Sequence, residues 1–325
     1  MIEKLQRISS LIGNTPLLRL NYEPAGLYTK LEYTNFSGSV KDRAAYNIIY
    51  QGIINNRINK DTVIVESSSG NFALALAHIT RILGLQFIPV IDPNINHSYE
   101  TQLKLMVDRV VKVTEQDATG GHLLTRLEKV RQICEEEPNS FWTNQYENPD
   151  NYLGYYHSLG NEICNDFDRL DYVFIGVSSG GTITGVSQRI KEKFPNVKVV
   201  AVDVEGSVIF GCQPRKRFVS GIGSSKVPGL LASAQIDDVV HVSFDELVMG
   251  CHELLKEQMI FCGGSSGASY AAAKKYLKQH QVPADANALF ICPDKGTAYL
   301  DTVYNDQWAR EKSAQCMPLS KSLAL

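Results

Sequence analysis

Asn35-Phe36-Ser37-Gly38-Ser39-Val40-Lys41-Asp42-Arg43 is the stretch from which the fold can be read. Gly38 and the serines make a flexible turn, and Ser39 stands three residues before Asp42 at the head of an apolar-periodic run. That S-x-x-D spacing is the signature of a capped helix start. With Ser39 as N-cap, Lys41 falls in the first helical turn, where the helix dipole favours anions and disfavours a cation by roughly 0.3–1 kcal/mol. A local rule broken in an otherwise consistent stretch points to a functional residue. A helix N-terminus also lowers a lysine pKa towards the neutral amine that forms Schiff bases. The alternative is an exposed lysine tethered to Asp42 or another nearby acid, and the stretch alone leaves both readings open.

Outward from this helix, which the pattern carries to about residue 54, strand and helix signals alternate. That alternation predicts an α/β fold with a largely parallel sheet. Upstream, residues 17–20 and 27–32 read as strands. Downstream, strands at 62–66, 87–91, 109–113 and 140–143 interleave with helices at 72–83, 99–107 and 121–135. A second set follows, with a helix at 152–164, strands at 171–177 and 197–204, and an intervening helix to about 194. Helices near 245–258 and 267–280 and a strand at 288–292 complete it. Residues 206–228 hold two prolines and four basic residues without periodicity. Loops of that length inside a compact domain are usually functional. The weakly marked boundary between the sets is expected near 146–151, and residues after about 310 lack periodicity.

The composition narrows the function classes. A net charge of −3 gives no electrostatic footprint for nucleic acid or an anionic membrane. Residues 1–11 contain no signal-peptide h-region and no apolar run reaches membrane-spanning length, so a cytoplasmic location is expected. The seven cysteines include no C-x-x-C pair and no Cys/His cluster at metal-ligand spacing, which predicts reduced core thiols and no metal site.

Three strand-to-helix junctions carry the remaining chemistry. Glu66-Ser67-Ser68-Ser69-Gly70-Asn71 and Val177-Ser178-Ser179-Gly180-Gly181-Thr182 each combine glycine with hydroxyls at a helix start. Such a junction either binds an anion or merely caps its helix. Neither matches the G-x-G-x-x-G dinucleotide fingerprint, and no G-x-x-x-x-G-K-S/T phosphate loop is present. In the third junction, Gly263-Gly264-Ser265-Ser266-Gly267 before a helix from Ala268, the spacing favours a serine N-cap. A Schiff-base lysine with two anion cradles matches pyridoxal phosphate, which has an aldehyde and a phosphate, together with an amino-acid substrate, which has a carboxylate.

These residues also carry a family resemblance. Lys30-Leu31-Glu32, Asn35, Ser39-Val40-Lys41-Asp42-Arg43, Ser69-Gly70-Asn71, Gly180-Gly181-Thr182, Gly221-Ile222-Gly223 and Ser265-Ser266-Gly267 stand in the order and spacing of the cysteine synthase/cystathionine β-synthase family. The chain resembles that family over about residues 5–305. The resemblance implies the fold-type II (tryptophan synthase β-like) architecture, with two doubly wound α/β domains and pyridoxal 5'-phosphate in the cleft between them. The larger, cofactor-binding domain would span 1–40 and 146–310, the smaller, substrate-side domain 41–145, and 311–325 would be a loose tail. The resemblance further implies a homodimer. It implies that Lys41 forms the internal aldimine, that Asn71 bonds the ring oxygen, and that Ser178, Ser179, Gly180, Gly181 and Thr182 hold the phosphate. Ser265 would meet the pyridine nitrogen, Ser68, Ser69 and Gln145 the substrate carboxylate, and Gly221 and Gly223 would line the cleft. The implied activity is β-replacement on an O-activated L-serine through an aminoacrylate intermediate, with Lys41 moving the α-proton.

Two departures stand out. The phosphate loop reads Ser178-Ser179-Gly180-Gly181-Thr182 where the family commonly has G-T-G-G-T, and Phe72 follows Asn71 in place of threonine. Together with Gly120-Gly121, Leu124-Thr125-Arg126, Asn144-Gln145-Tyr146, Gly206-Ser207-Val208-Ile209-Phe210-Gly211 and Tyr299-Leu300-Asp301, they resemble one subgroup, the N-(2-amino-2-carboxyethyl)-L-glutamate synthases of staphyloferrin B siderophore biosynthesis. That resemblance implies O-phospho-L-serine and the amine of L-glutamate as substrates and a product leading to 2,3-diaminopropionate. Arg126 suits a leaving phosphate or a glutamate carboxylate, which a guanidinium binds in bidentate fashion. Otherwise it is a surface arginine paired with Glu128 or Glu135. Tyr146 and Ser178 are further substrate-contact candidates. The alternatives are a cysteine synthase that uses O-acetyl- or O-phosphoserine with sulfide, and a non-catalytic protein that kept the cofactor fold.

Overall fold

The computed structural model describes residues 1–118 and 120–316. The chain begins with α1 (Ile2–Ile8), β1 (Leu17–Arg19), β2 (Gly26–Leu31) and α2 (Lys41–Ile54). It continues through β3 (Val63–Ser67), α3 (Asn71–Leu83), β4 (Gln86–Ile91), α4 (His97–Met106), β5 (Val111–Lys112), α5 (Leu123–Glu136) and β6 (Ser140–Trp142). Next come α6 (Pro149–Tyr155), α7 (Asn161–Asp166), β7 (Tyr172–Gly176), α8 (Gly181–Lys193), β8 (Lys198–Val204) and β9 (Asp238–Val242). The last described elements are α9 (Phe244–Gln258), α10 (Gly264–Gln279), β10 (Asn287–Cys292) and α11 (Asp306–Cys316).

The strands form two sheets. The smaller has the order β5-β4-β3-β6 and is parallel throughout. The larger has the order β1-β2-β10-β7-β8-β9 and is parallel except for β1, which runs antiparallel to β2. Every residue of β3 is buried, as expected for a parallel strand covered by helices on both faces. One apolar cluster runs from Ile48 on α2 and Leu76 on α3 to Tyr155 on α6, Ile175 on β7 and Val186 on α8. The two sheets therefore share packing with no linker between them. Segments that follow the carboxyl ends of β3, β4, β7 and β10 meet at one edge, the usual place for a ligand in open α/β sheets.

The structure corrects several expectations. The helix expected at 152–164 starts earlier, because Asn148 caps it by accepting from Asp150 N at 3.0 Å and Pro149 occupies its first turn. It then passes through a π-helical turn at Tyr156–Gly160 before α7. Strand β9 has no counterpart in the sequence reading; Asp238 and Val239 pair with Val200 and Ala201 at the edge of the larger sheet. The expected loose tail begins too early. Asn305 Oδ1 accepts from Trp308 N at 3.0 Å and the Trp308 ring lies 5.8 Å from Phe244, so α11 continues to Cys316. Residues 317–325 of that tail lie outside the described residues.

The residue order of the opening stretch has a structural role in a buried polar cluster. The Arg43 side chain is fully buried and donates to Glu32 at 2.7 and 2.8 Å and to Glu162 at 2.6 and 2.8 Å. Glu32 also accepts from Thr15 Oγ1 at 2.6 Å and from Asn35 Nδ2 at 2.9 Å, while Lys30 bonds Thr15 O at 2.7 Å and Asp166 at 3.0 Å. The cluster ties β2, α2 and α7 together. Arg43→Ala would leave Glu32 buried without its cation. That change is expected to destabilise the fold by roughly 3–5 kcal/mol, read as a lowered denaturant midpoint at unchanged slope.

Candidate active site

Lys41 is the first residue of α2, but the helix start is not the capping box that the spacing suggests. Val40 occupies the N-cap, and its amide donates to Pro293 O at 2.8 Å, drawing the chain onto the segment after β10. Asp42 turns back to accept from Ser37 N at 2.7 Å, and Ser39 Oγ accepts only from Lys41 N, at 3.3 Å. The Lys41 amine points into the cleft, with Ser179 Oγ at 3.5 Å. Its pKa is lowered to about 8 chiefly because the amine end is buried, while the Asp294 carboxylate pulls it back up. The expected direction of the shift stands. Its main cause is desolvation rather than the helix dipole.

Around Lys41 one cavity gathers Asn71, Ser178, Ser179, Gly180, Gly181, Thr182, Gly221 and Ser265. The loop after β7 reaches the start of α8 through Gly180, whose φ of +84° belongs to the left-handed region open to glycine. At Gly181 a Cβ would lie 2.1 Å from Asn151 Oδ1, so only glycine lets the helix start approach this closely. The first amides of α8 have no intrahelical acceptor and are free for an anion. Ser178 Oγ donates to Gly223 O at 3.2 Å, which closes this loop against residues 221–223; Gly221 lines the cavity and Gly223 does not. Ser265 does not cap its helix. Gly263 is the N-cap of α10, and Ser265, only 4% exposed, sits in the first turn and faces the cavity.

Asn71 is held at both ends of its amide. Oδ1 accepts from Tyr99 OH at 2.7 Å, and Nδ2 donates to Asp294 Oδ2 at 2.7 Å, an atom that also accepts from Tyr299 OH at 2.7 Å. Burial raises the Asp294 carboxyl to about 6 against the bonds from Tyr299 and Asn71. Asp294 Oδ1 is buried without a hydrogen-bond partner and lies in the same cavity as Lys41. Sequence reasoning missed this acid. The available signal was a carboxylate directly after the apolar strand β10, at the ligand-bearing edge of the sheet.

The substrate-side candidates form a second group that flanks this cavity. Ser68 Oγ accepts from Ala73 N at 3.2 Å at the start of α3, and Gln145 Nε2 donates to Ser67 O at 3.1 Å. Glu66, fully buried and raised to about 7 by that burial, accepts from Thr143 Oγ1, from Gln145 N at 3.2 Å and from Ser67 N at 2.8 Å. It thereby fixes Gln145 beside the serines. Arg126 is not a surface arginine. Glu128 pairs with Arg131 at 2.8 Å, while the Arg126 side chain is only 11% exposed, with Nε 3.0 Å from Asp92 Oδ2 and Nη1 3.3 Å from Ser69 Oγ. Ser69 Oγ in turn donates to Asp92 at 2.9 Å. Tyr146 is buried, and its phenol pKa is raised by that burial; the charges of Arg126 and, less strongly, Arg217 oppose the rise.

The cavity suits a ligand with a phosphate at Ser178–Thr182, an electrophilic carbonyl at Lys41, and ring atoms between Asn71 and Ser265. The Asp294 oxygen left unpartnered among the described residues and the Lys41 amine, its pKa lowered to about 8 by burial, are the observations that fit such a group. Among the described residues no helix is long and apolar enough to cross a membrane, and no three His, Cys, Asp or Glu side chains are placed to hold a metal ion.

Comparison with known proteins agrees with this geometry. The N-(2-amino-2-carboxyethyl)-L-glutamate synthase of Ralstonia nicotianae is 43% identical over 302 residues, which cover 91% of this chain and 89% of that protein. The crystal structure of O-acetylserine-dependent cystathionine β-synthase from Helicobacter pylori is 29% identical, with a TM-score of 0.84, over 91% of this chain and 97% of that one. O-ureido-L-serine synthase is 28% identical, with a TM-score of 0.83, over 92% and 95%. The family described as pyridoxal-phosphate dependent enzyme matches residues 8–294, and the chain belongs to it.

Proposed function

We propose that this enzyme replaces the phosphate of O-phospho-L-serine with the amine of L-glutamate, giving N-(2-amino-2-carboxyethyl)-L-glutamate, a precursor of 2,3-diaminopropionate. The observation that carries the reading is the part-buried Arg126, held by Asp92 and touching Ser69 beside the substrate cradle. The name of the relative that is 43% identical supports the same substrates.

In this reading residues 41–145 form the substrate-side domain and the rest of the chain to 310 the cofactor domain. Pyridoxal phosphate, when bound, supplies the electron sink that makes the α-proton of an attached amino acid labile. Ser178–Thr182 would hold its phosphate at the start of α8, and Lys41 would hold its aldehyde carbon until the substrate's own amine displaces it there and leaves the Lys41 amine free as a base. Asn71 and Ser265 orient the ring. Ser68, Ser69 and Gln145 take the α-carboxylate of the first substrate through neutral donors, so no cation there competes with Arg126. Lys41 takes the α-proton, the Cβ–O bond breaks, and phosphate leaves with that electron pair towards Arg126. The amine nitrogen then bonds to Cβ and loses a proton, and Lys41 returns the α-proton. With a pKa near 8 the amine can both accept and donate a proton near neutrality.

Four outcomes test this reading. Incubation of the holoenzyme with O-phospho-L-serine and either L-glutamate or sulfide, followed by mass analysis, should give the glutamate adduct; cysteine as the sole product would overturn the substrate pair in favour of a cysteine synthase. Arg126→Ala should keep the visible cofactor spectrum and lose about 10- to 100-fold in kcat/KM for phosphoserine, the range for one charge-assisted contact. Unchanged kinetics would remove Arg126 from the site. The rate at which cofactor-free protein recombines with pyridoxal phosphate should rise with pH through about 8, because only the neutral Lys41 amine reacts. Asp294→Asn removes the charge that holds the proton on Lys41 and should move that midpoint down, whereas a midpoint that stays put or rises would contradict the coupling.

A further inference from the structure

The four basic residues of the long loop between β8 and β9 have unequal surroundings. Lys226 is paired with Glu147 at 2.6 Å, and Arg215 and Lys216 are exposed. Arg217 is half-buried, and among the described residues it forms no salt bridge. Its guanidinium donates to two neutral acceptors, Gly206 O at 2.8 Å and Ser225 Oγ at 3.1 Å. Asp203 acts on it through space but directs its own carboxylate at Val204 N, 2.9 Å away.

One packing contact and one through-space charge effect link Arg217 to the active-site cleft. Its stem packs on Gly223, where a Cβ would lie 3.1 Å from Arg217 Cδ, and Gly223 O accepts from Ser178 in the phosphate loop. On the other side its charge reaches the Tyr146 phenol, next in sequence to Gln145 of the carboxylate cradle. Two guanidiniums therefore act on Tyr146, and they differ in one respect. Arg126 already has Asp92 as a counter-ion, whereas Arg217 has none in contact. A partly desolvated cation whose nearest carboxylate, Asp203, acts on it only through space gains from an anion that arrives to touch it.

The proposed reaction brings two anionic molecules to this end of the cleft. Arg126 touches Ser69 and so lies within reach of the first substrate in its cradle. Arg217 stands on the larger-sheet side, against Gly223 of the loop that closes on the phosphate loop. We propose that Arg217 binds the side-chain carboxylate of the incoming amino acid and thereby selects a dicarboxylic amine as nucleophile. This rests on the reaction proposed above and adds to it the residue that reads the second substrate. The backbone and Ser225 contacts fix the guanidinium in position and leave donors free for a bidentate carboxylate.

The test compares the holoenzyme with Arg217→Gln and Arg217→Lys, with melting temperature and cofactor absorbance as checks on folding. Phosphate released from O-phospho-L-serine alone, in a single turnover without an amine, reports the first half of the reaction. The KM for L-glutamate and the preference for L-glutamate over L-glutamine report the second. In Arg217→Gln the phosphate burst should keep its rate and amplitude. The KM for glutamate should rise about 10- to 100-fold, as for loss of a charge-assisted contact, and the preference for glutamate over glutamine should shrink accordingly. Arg217→Lys should restore part of both. An equal loss of the phosphate burst, or an unchanged glutamate KM and preference, would overturn the assignment. If the unaltered enzyme fails to use glutamate at all, the proposed reaction falls instead, and that result is visible before any variant is made.

Discussion

The buried guanidinium of Arg43 is the constraint from which the site is built. Two carboxylates from distant parts of the chain, Glu32 and Glu162, converge on it, and the fully buried Glu32 has no other cation in contact among the described residues. Because Arg43 lies two residues beyond Lys41 on the same helical turn, anchoring the one fixes where the other begins. Val40 bonding to Pro293 completes the positioning from the other side. The reactive amine is thus placed by a network that does not itself face the cleft.

The polar residues around the cleft divide by charge. Hydroxyls, amides and helix amides line the cavity at Asn71, Ser178–Thr182 and Ser265. The ionisable side chains there include Lys41, Asp294, Glu66, Asp92 and the two arginines acting on Tyr146. Desolvation shifts the first two towards neutrality, to about 8 and about 6, so each lies within reach of a physiological proton exchange. Arg126 cannot be neutralised in that way and is instead screened by Asp92.

Much of this could be read from the residue order, because periodicity and glycine placement are local properties. The alternation of strands and helices, the lysine at a helix start and both glycine-serine junctions lie where the pattern puts them. The misses share a different physics. Ser39 and Ser265 look like caps by spacing, yet long-range contacts to Pro293 and the turn at Gly263 decide where those helices begin. Asp294 carries no spacing signature, since a lone acid after a strand gains meaning only when Asn71, Tyr299 and Lys41 are folded around it. Arg126 could not be told from a surface arginine until Asp92, which lies 34 positions earlier, was seen to close on it. Short edge strand β9 and helix α11 depend on pairing and on one aromatic contact rather than on their own propensity.

One bond pattern has a consequence for binding entropy. With its oxygen engaged by Tyr99 and one N–H by Asp294, the Asn71 amide has a single orientation, and its remaining N–H is aimed before any ligand arrives. Tyr99 and Asn71 lie on the smaller sheet's side, while Asp294 and Tyr299 follow the last strand of the larger. The ordering of that donor is therefore achieved during folding, by the same contacts that hold the two halves of the cleft in register. A ligand that docks there loses none of its affinity to freezing the side chain that receives it.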